Sequence, residues 1–581
     1  MNFSRLKNEG WLYWLAFLIA LGFRIIELGA TPLNDSEATL ALQSLHVAHG
    51  LKPLLGPQPA YVLFTSVLFA VIESTNFMAR FIPALVGSTL VFTPYFFREK
   101  LKPRPALILA ILVAIDPGLV SLSRQANGTI LAATFLLFAW GMWTNRRLVP
   151  AGIFAGLALL SGTSLWAGLI SLGLAWLFIQ GLEAKSAKDP ATLSDSPISE
   201  SDSPISNYEF QPSLISLIVT VLLGGTLFFI APNGLSAWVS SLPAYLNGWT
   251  APSVMTPRRM LFAFIVYEPL GIFLAVLSFI RGYRTGSQRI MRLSLWLGVA
   301  FLLAVFYRQP GELVWAILPL LTLAALELSR SLNIFASERL EVGVVTLALL
   351  ILLTYIWFDI SAIGLDPFNQ FAAQVPVIGT LPNPRYAILY GALAILIACI
   401  AFVAFGWSAR TAWLGTAWAF IIFLTVYTLG VAWGASGVRN PNGVELWATD
   451  QKPVQADLLL ASVDDISEFS LGHDQSQPVI IMGISSPALE WLLRDHDVKL
   501  VSALDAQLAP PIVITPVMDD LSLPSAYRGQ DFTWRQNVQF DSMPRPEWWR
   551  WLVNRQLPRE NETIILWARN DLFPDARGSS Q

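Results

Sequence analysis

Long apolar runs separated by short polar breaks fill roughly the first 430 positions of the chain, and then the pattern changes. A helix needs about 20 mostly apolar residues to cross a bilayer. Such runs fall at roughly 11–28, 80–97, 106–121, 128–143, 150–163, 165–181, 212–231, 259–280, 292–306, 311–328, 341–360, 386–406 and 411–432, thirteen in all. The first, "WLYWLAFLIALGFRIIEL", is too long for a signal core and lacks a small-residue cleavage site, so it reads as a retained span. A further stretch, 59–74 ("PAYVLFTSVLFAVIES"), is interrupted by polar residues and bounded by Pro59. From 433 onward "PVIIMG", "KLVSAL", "PPIVITP", "DFTWRQNVQF" and "ETIILWAR" read as strands, and "SPALEWLLRD" and "PEWWRWLVNRQ" as helices. Strand, helix and strand at this spacing predict a small α/β domain. Residues 183–210 repeat "SDSPIS" and carry almost no apolar bulk, which predicts a disordered linker.

Charge sets direction. With 59–74 not spanning, the inner loops hold 17 Lys and Arg, from Arg5 and Lys7 through the "FREKLKPRP" cluster to Arg410. The outer loops hold 6: Lys52, Arg124, Arg258, Arg259, Arg308 and Arg385. Cytoplasmic loops carry the basic excess. The N-terminus is therefore expected in the cytoplasm, and 29–79 and 433–581 outside it, with 59–74 an interfacial helix on the outer leaflet. The expected fold class is an α-helical polytopic protein of the cell (cytoplasmic) membrane. It has about 13 transmembrane helices over 1–432 and a C-terminal extracytoplasmic α/β domain over 433–581.

Composition agrees. Only 13% of residues are charged, against roughly 25% in soluble domains. The net charge is −3 with no basic block, which argues against a nucleic-acid partner. The single cysteine, Cys399, lies in an apolar run, so no disulfide framework or thiolate zinc site is expected. His473 and His496 stand alone and read as surface or core histidines. The tryptophans of "EWWRW" read as helix packing, with a flat face for a sugar or headgroup as the alternative.

Candidate chemistry concentrates in the first outer loop, "TPLNDSEATLAL". Ala38, Ala41, Leu42 and Leu45 fall at helical spacing, and Gly50 ends the helix. Asn34 or Asp35 can cap that helix, and Glu37, three residues after Asn34, completes a capping box. The same carboxylates, set beside the membrane in a chain short of charge, can also be catalytic. Local pattern leaves both readings open. Residues two apart on a helix do not face each other, so a joint metal site requires Asp35 to precede the helix. Glu268 falls near mid-bilayer depth, where a carboxyl is a functional-site candidate by default.

The run "GFRIIELGATPLNDSEATLALQSL" resembles the start of the polyprenyl-phosphate-sugar-dependent glycosyltransferases of the GT-C fold. These include the protein mannosyltransferases and the lipid A aminoarabinose transferases. Arg24, Leu28, Pro32, Asp35, Glu37 and Ala38 carry the likeness. Pro59, Tyr61, Arg80 and Pro83 match that family's loop helix and second span, and Asp116 and Arg124 its third-to-fourth junction. The likeness covers roughly 10–180 motif by motif and is nearest the prokaryotic branch. It departs from the pattern twice: Ser36 separates Asp35 from Glu37, and Asn127, Gly128 and Thr129 stand where an acid follows the arginine.

The resemblance implies a membrane glycosyltransferase. Asp35 would act as general base, with Glu37 in support, in an inverting transfer from a polyprenyl-phosphate sugar to a lipid, glycan or protein acceptor. The departing phosphate needs positive charge. Arg258 and Arg259 are the first candidates, then Arg80, Arg124, Arg308 and Arg385, each of which can instead serve the headgroups by snorkelling. Asp116, Tyr61 and Glu268 complete the expected cleft. No metal site stands out; a divalent cation, Mg or Mn, would fall to Asp35 and Glu37. A transporter or flippase, and a catalytically inactive scaffold binding a lipid-linked sugar, are the competing classes.

Overall fold

Two steps into proline shape the membrane domain. Proline lacks an N–H, so it suits the first turn of a helix and interrupts the interior. At Asp116-Pro117 the helix Pro103–Ile115 gives way to Pro117–Ser123 with a 56° bend. At Glu268-Pro269, Pro257–Tyr267 gives way to Pro269–Thr285 across 87°. The first break is held from both sides. The Arg24 guanidinium donates to the carbonyls of Val113 (3.3 Å) and Ala114 (3.2 Å) at the end of one half. The Asp116 carboxyl accepts from the Leu119 N–H (2.8 Å) at the start of the other. A cation on a helix C-terminus and an anion on an N-terminus both complement the helix dipole.

The computed structural model describes residues 9–186, 207–253, 255–332, 339–366, 373–375, 379–381, 385–437, 445–447, 451–504, 509–518, 523–538, 540 and 543–573. Each of the thirteen expected apolar segments falls on a helix or a bent helix pair. Among the described residues, seven helices are long and apolar enough to cross a membrane, nine if each bent pair is one span. Gly10–Ile25, Thr129–Thr144, Leu148–Leu160 and Gln211–Gly225 are shorter apolar helices. The chain is a multi-pass membrane protein. Most of the expected linker, 187–206, lies outside the described residues. Its ends do not: Thr163–Ser186 runs past 183, and Asn207–Gly225 begins before 210, because both helices extend beyond their apolar stretches.

Small residues set the closest helix approach. A Cβ on Gly152 would stand 2.0 Å from Ser216 Oγ, and one on Gly156 2.8 Å from Thr220 Cβ, so Leu148–Leu160 packs backbone-close on its neighbour. Pro59–Val71 is 13 residues, about 20 Å at 1.5 Å per residue, shorter than a hydrocarbon layer of about 30 Å. It is wedged against Asp35–Ala48 with Tyr61, Val62 and Leu63 fully buried.

A short antiparallel hairpin, β1 (Ala373–Val375) and β2 (Gly379–Leu381), precedes the last two long helices. Beyond them the strands β3 (Pro478–Met482), β4 (Asp497–Val501), β5 (Ile512–Pro516), β6 (Tyr527–Asn537) and β7 (Glu560–Arg569) form one sheet in the order β4-β3-β5-β7-β6. β3 pairs parallel with β4 and β5, while β7 runs antiparallel to β5 and β6. All five strands and the helices Pro487–Leu492 and Arg545–Asn554 were legible in the sequence. The helix Ala456–Leu471 was not, because its buried stripe is narrow: Ala456, Leu459, Val463 and Ser467.

This domain is packed firmly onto the rest. One apolar core runs from Leu33, Ala38, Ala41 and Tyr61 into Val479, Ile481, Leu489 and Trp491. Trp491 stacks on Phe69 at 5.7 Å and donates its indole N–H to Asn76 (2.8 Å). The "EWWRW" helix contacts the membrane helices: Trp548 meets Phe262 edge-on at 4.4 Å, and Trp549 meets Tyr386 at 6.4 Å. These two tryptophans serve packing.

Candidate functional site

The helix Asp35–Ala48 begins as its sequence dictates. Asn34 is the cap: its side chain accepts from the Glu37 N–H (2.9 Å), and Glu37 Oε2 accepts from the Asn34 N–H (3.2 Å). Glu37 then does more than close the box. Arg80 grips it with two parallel bonds, Nε to Oε1 at 2.8 Å and Nη2 to Oε2 at 2.6 Å, and the Ala126 N–H adds a third donor at 3.0 Å. Four donors on two oxygens leave the carboxylate saturated, at 4% exposure. Burial pushes its pKa up, but the Arg80 guanidinium and the Ala126 N–H outweigh that and hold it below the usual carboxylate range.

Arg80 is spent as well. Its remaining N–H groups reach the carbonyls of Leu28 (3.2 Å), Thr31 (2.8 Å) and Pro32 (3.1 Å), so the guanidinium ties the first loop down. Arg124 behaves alike. It donates to Phe23 (3.3 Å), Arg24 (3.0 Å), Ile26 (2.8 Å) and Glu27 (3.2 Å), closing the carbonyl end of the first helix. Burial and nearby Arg80 lower it to about 10. Glu37, Arg80 and Arg124, expected at the transfer site, are thus engaged with backbone and ion-pair partners that hold the first loop and the end of the first helix.

Asp35 points the other way, into the sheet domain. Its Oδ1 accepts from Ser486 Oγ (2.7 Å) and the Ala488 N–H (3.1 Å) at the start of Pro487–Leu492, and its Oδ2 pairs with Arg535 on β6. The side chain stays 27% exposed. Asp35 and Glu37 are each neutralised by a guanidinium of their own and face apart, so they do not fit a shared divalent ion. Among the described residues no group of three or more His, Cys, Asp or Glu side chains is placed to hold a metal.

The other expected residues disperse. Arg258 is exposed in the first turn of Pro257–Tyr267. Arg259 is buried, its guanidinium 4.0 Å over the Phe540 ring and 3.5 Å from the Leu446 carbonyl. Arg308 ends Gln288–Tyr307 and donates to the Ala251 carbonyl (3.5 Å), and Arg385 stands 3.9 Å from Asp359. Tyr61 is fully buried and donates to the Ala79 carbonyl (2.8 Å), which removes it from any open cleft. Asp116 and Glu268 are brought together, but deep in the bundle rather than beside Asp35.

Sequence reasoning did not single out Arg535 and Ser486, which hold Asp35, or Lys452. Lys452 follows the last long helix and reaches back to the first loop, where its ammonium donates to Thr31 Oγ1 (3.1 Å). Glu37, Arg80, Arg124 and Glu445 surround it, and its side chain is open to solvent although protein encloses it deeply. Burial, with Arg80 and Arg124 nearby, lowers its pKa to about 8. Thr31 and Lys452 are 421 positions apart, and a lone lysine carries no motif that announces such a contact. Below it, Tyr267 OH donates to Glu445, whose other oxygen lies 3.6 Å from Arg555 Nε.

Among solved structures, the chain is similar to ArnT from Cupriavidus metallidurans bound to undecaprenyl phosphate. Identity is 13% and the TM-score 0.51, over 88% of this chain and 94% of that one. It is also similar to the apo state of that protein, at 14% identity and a TM-score of 0.48, over 87% and 93%. No family model and no curated protein matches the sequence. The first likeness establishes a GT-C-like fold, a polytopic helical domain with a small C-terminal sheet domain.

Proposed function

We propose that this protein is a membrane glycosyltransferase of the GT-C type, which transfers a sugar from a polyprenyl-phosphate donor to a hydroxyl of a lipid, glycan or protein acceptor. The observation that carries this reading is Lys452, a solvent-open ammonium held at the meeting of the first loop and the segment after the last long helix. It gives the cleft a point charge for a phosphate, in a fold shared with a protein described as bound to undecaprenyl phosphate. The basic-residue bias of the loops supports placing this face outside the cell membrane, with the N-terminus in the cytoplasm.

In the proposed reaction the acceptor oxygen attacks the anomeric carbon from the face opposite the phosphate, forming the new C–O bond as the bond to the phosphate oxygen breaks. The configuration inverts. The acceptor proton passes to Asp35, the acid of the "NDSE" run that keeps an open edge, with Ser486, Ala488 and Arg535 orienting it. The electron pair leaves with the phosphate, whose extra negative charge the Lys452 ammonium meets.

Binding of undecaprenyl phosphate to purified wild type, Lys452→Met and Lys452→Arg, at several pH values, tests this reading. Lys452 is cationic below about 8, so wild-type affinity is expected to fall as pH rises through that value. Lys452→Arg is expected to stay flat. Lys452→Met is expected to bind about 10- to 100-fold more weakly at pH 7, the scale of one charge-assisted hydrogen bond. Equal affinity of Lys452→Met and wild type at every pH would remove the reading's support.

A further inference from the structure

The sequence shows no span-length apolar run between 232 and 258, yet the chain forms a helix there, Asn233–Gly248. Its 16 residues cover about 24 Å at 1.5 Å each, short of a hydrocarbon layer of about 30 Å. One face docks on the protein. Gly234, Ala237, Ser241 and Tyr245 are buried, and a Cβ on Gly234 would stand 2.0 Å from the Gly225 carbonyl oxygen. The rest of the surface divides in two. Val239, Leu242, Pro243 and Leu246, at i, i+3, i+4 and i+7, form an exposed apolar stripe. Ser236, Ser240 and Asn247 form an exposed polar stripe, about 90° further round the helix. A helix in water has no use for the first stripe, and one inside hydrocarbon has none for the second. Protein on one side, an apolar face on the next and a polar face on the third suit a helix lying along the boundary of a leaflet.

The turn before this helix points the same way. Leu227, Phe228 and Phe229 have φ of 47°, 53° and 69°, a left-handed turn that is unfavourable for bulky L-residues at each step. Thr226 holds it, accepting from the Phe229 N–H (3.0 Å) and donating to the Leu222 carbonyl (2.6 Å). The turn gains little packing inside the protein, since Phe228, Phe229 and Ile230 are 69%, 71% and 66% exposed. Water does not stabilise three large apolar side chains, so the contact that offsets the strain comes from outside the chain. Leu214, Ile218 and Leu222 form an exposed stripe along Asn207–Gly225 that leads into the turn, so the lipid-facing surface of the membrane domain continues onto it. The rim carries a cation. Asn233 donates its side-chain amide to the Pro53 carbonyl (3.2 Å), which sets the exposed Lys52 and the first loop beside the start of the helix.

We propose that residues 227–230 and the helix Asn233–Gly248 form a foot seated in the leaflet on the first-loop side of the membrane, covered by phospholipid acyl chains, with Lys52 among the headgroups. Through Asn233 the foot ties the first loop to that leaflet. The full-length protein carrying Cys399→Ala is placed in phospholipid nanodiscs and spin-labelled at one new cysteine at a time. Phe229→Cys, Val239→Cys and Leu246→Cys sample the apolar side, and Ser236→Cys, Ser240→Cys and Asn247→Cys the polar side. Collisions with molecular oxygen, which concentrates in lipid, and with a water-soluble nickel chelate read the depth of each label. The apolar-side labels are expected to meet oxygen in excess, about 5–10 Å below the headgroups, and the polar-side labels to meet the chelate in excess. Chelate in excess at all six positions would place the helix in water, and oxygen in excess at all six would place it wholly inside the hydrocarbon; either result overturns the proposal. Labels on the apolar side that meet neither reagent would overturn it too, by showing that protein covers this face.

Discussion

Asp35→Asn is expected to lower sugar transfer by about 100-fold or more, and Arg535→Met by less than about 10-fold. The comparison matters because Asp35 has two visible occupations: it pairs with Arg535 across the domain junction, and it keeps an open carboxylate edge. Either substitution breaks the same ion pair. The pair is partly open to water, so its loss costs about 1 kcal/mol or less and falls equally on both variants. Loss of a general base falls on Asp35→Asn alone. Transfer from a panel of polyprenyl-phosphate sugars in membranes, with thermal midpoints measured alongside, separates the two. Matching losses in the two variants would reduce Asp35 to a clasp between the loop and the sheet domain.

The second large effect is on stability. Glu37→Gln leaves the Arg80 guanidinium buried without its counter-ion, and Arg80→Met leaves the Glu37 carboxylate so. Each is expected to cost about 3–5 kcal/mol. The pair is 4% and 2% exposed, so solvent does little to soften the loss. The double variant is expected to recover part of the cost, because two neutral groups no longer carry an unpaired charge. Folded-state hydrogen exchange at 29–80, or proteolytic cleavage of the loop, reads the effect directly. Single variants as protected as wild type would show that the pair is dispensable. The pH dependence follows from the sign of the Glu37 shift. Its pKa is depressed in the folded state, so its contribution is present above the ordinary value of 4.5 and is lost as pH falls through the lower folded one.

The capping box shows how far local pattern reached. Asn34 and Glu37 are three apart, and that spacing alone brings cap and box together. The same spacing left the roles of the two acids open, and the helix resolves them. Each residue turns the helix by about 100°, so Asp35 and Glu37, two apart, point about 200° from one another. One therefore faces the bundle and Arg80, the other the sheet domain and Arg535. The sequence offers the turn; which wall stands on each side depends on segments 43 and 500 positions away.

Apolar period and length, local properties that a single segment carries by itself, determined the helical segments, the five strands and the loop helix. The two breaks fall inside the expected spans 106–121 and 259–280, where Pro117 follows Asp116 and Pro269 follows Glu268. Tertiary structure decided which charges are free. Arg80 and Arg124 look like phosphate ligands in the chain, and folding spends them on carbonyls and on Glu37; Lys452 looks like nothing, and folding sets it against Thr31. The reason is physical: a guanidinium or ammonium takes its role from whichever acceptors surround it after burial, and those acceptors come from parts of the chain with no local relation to it.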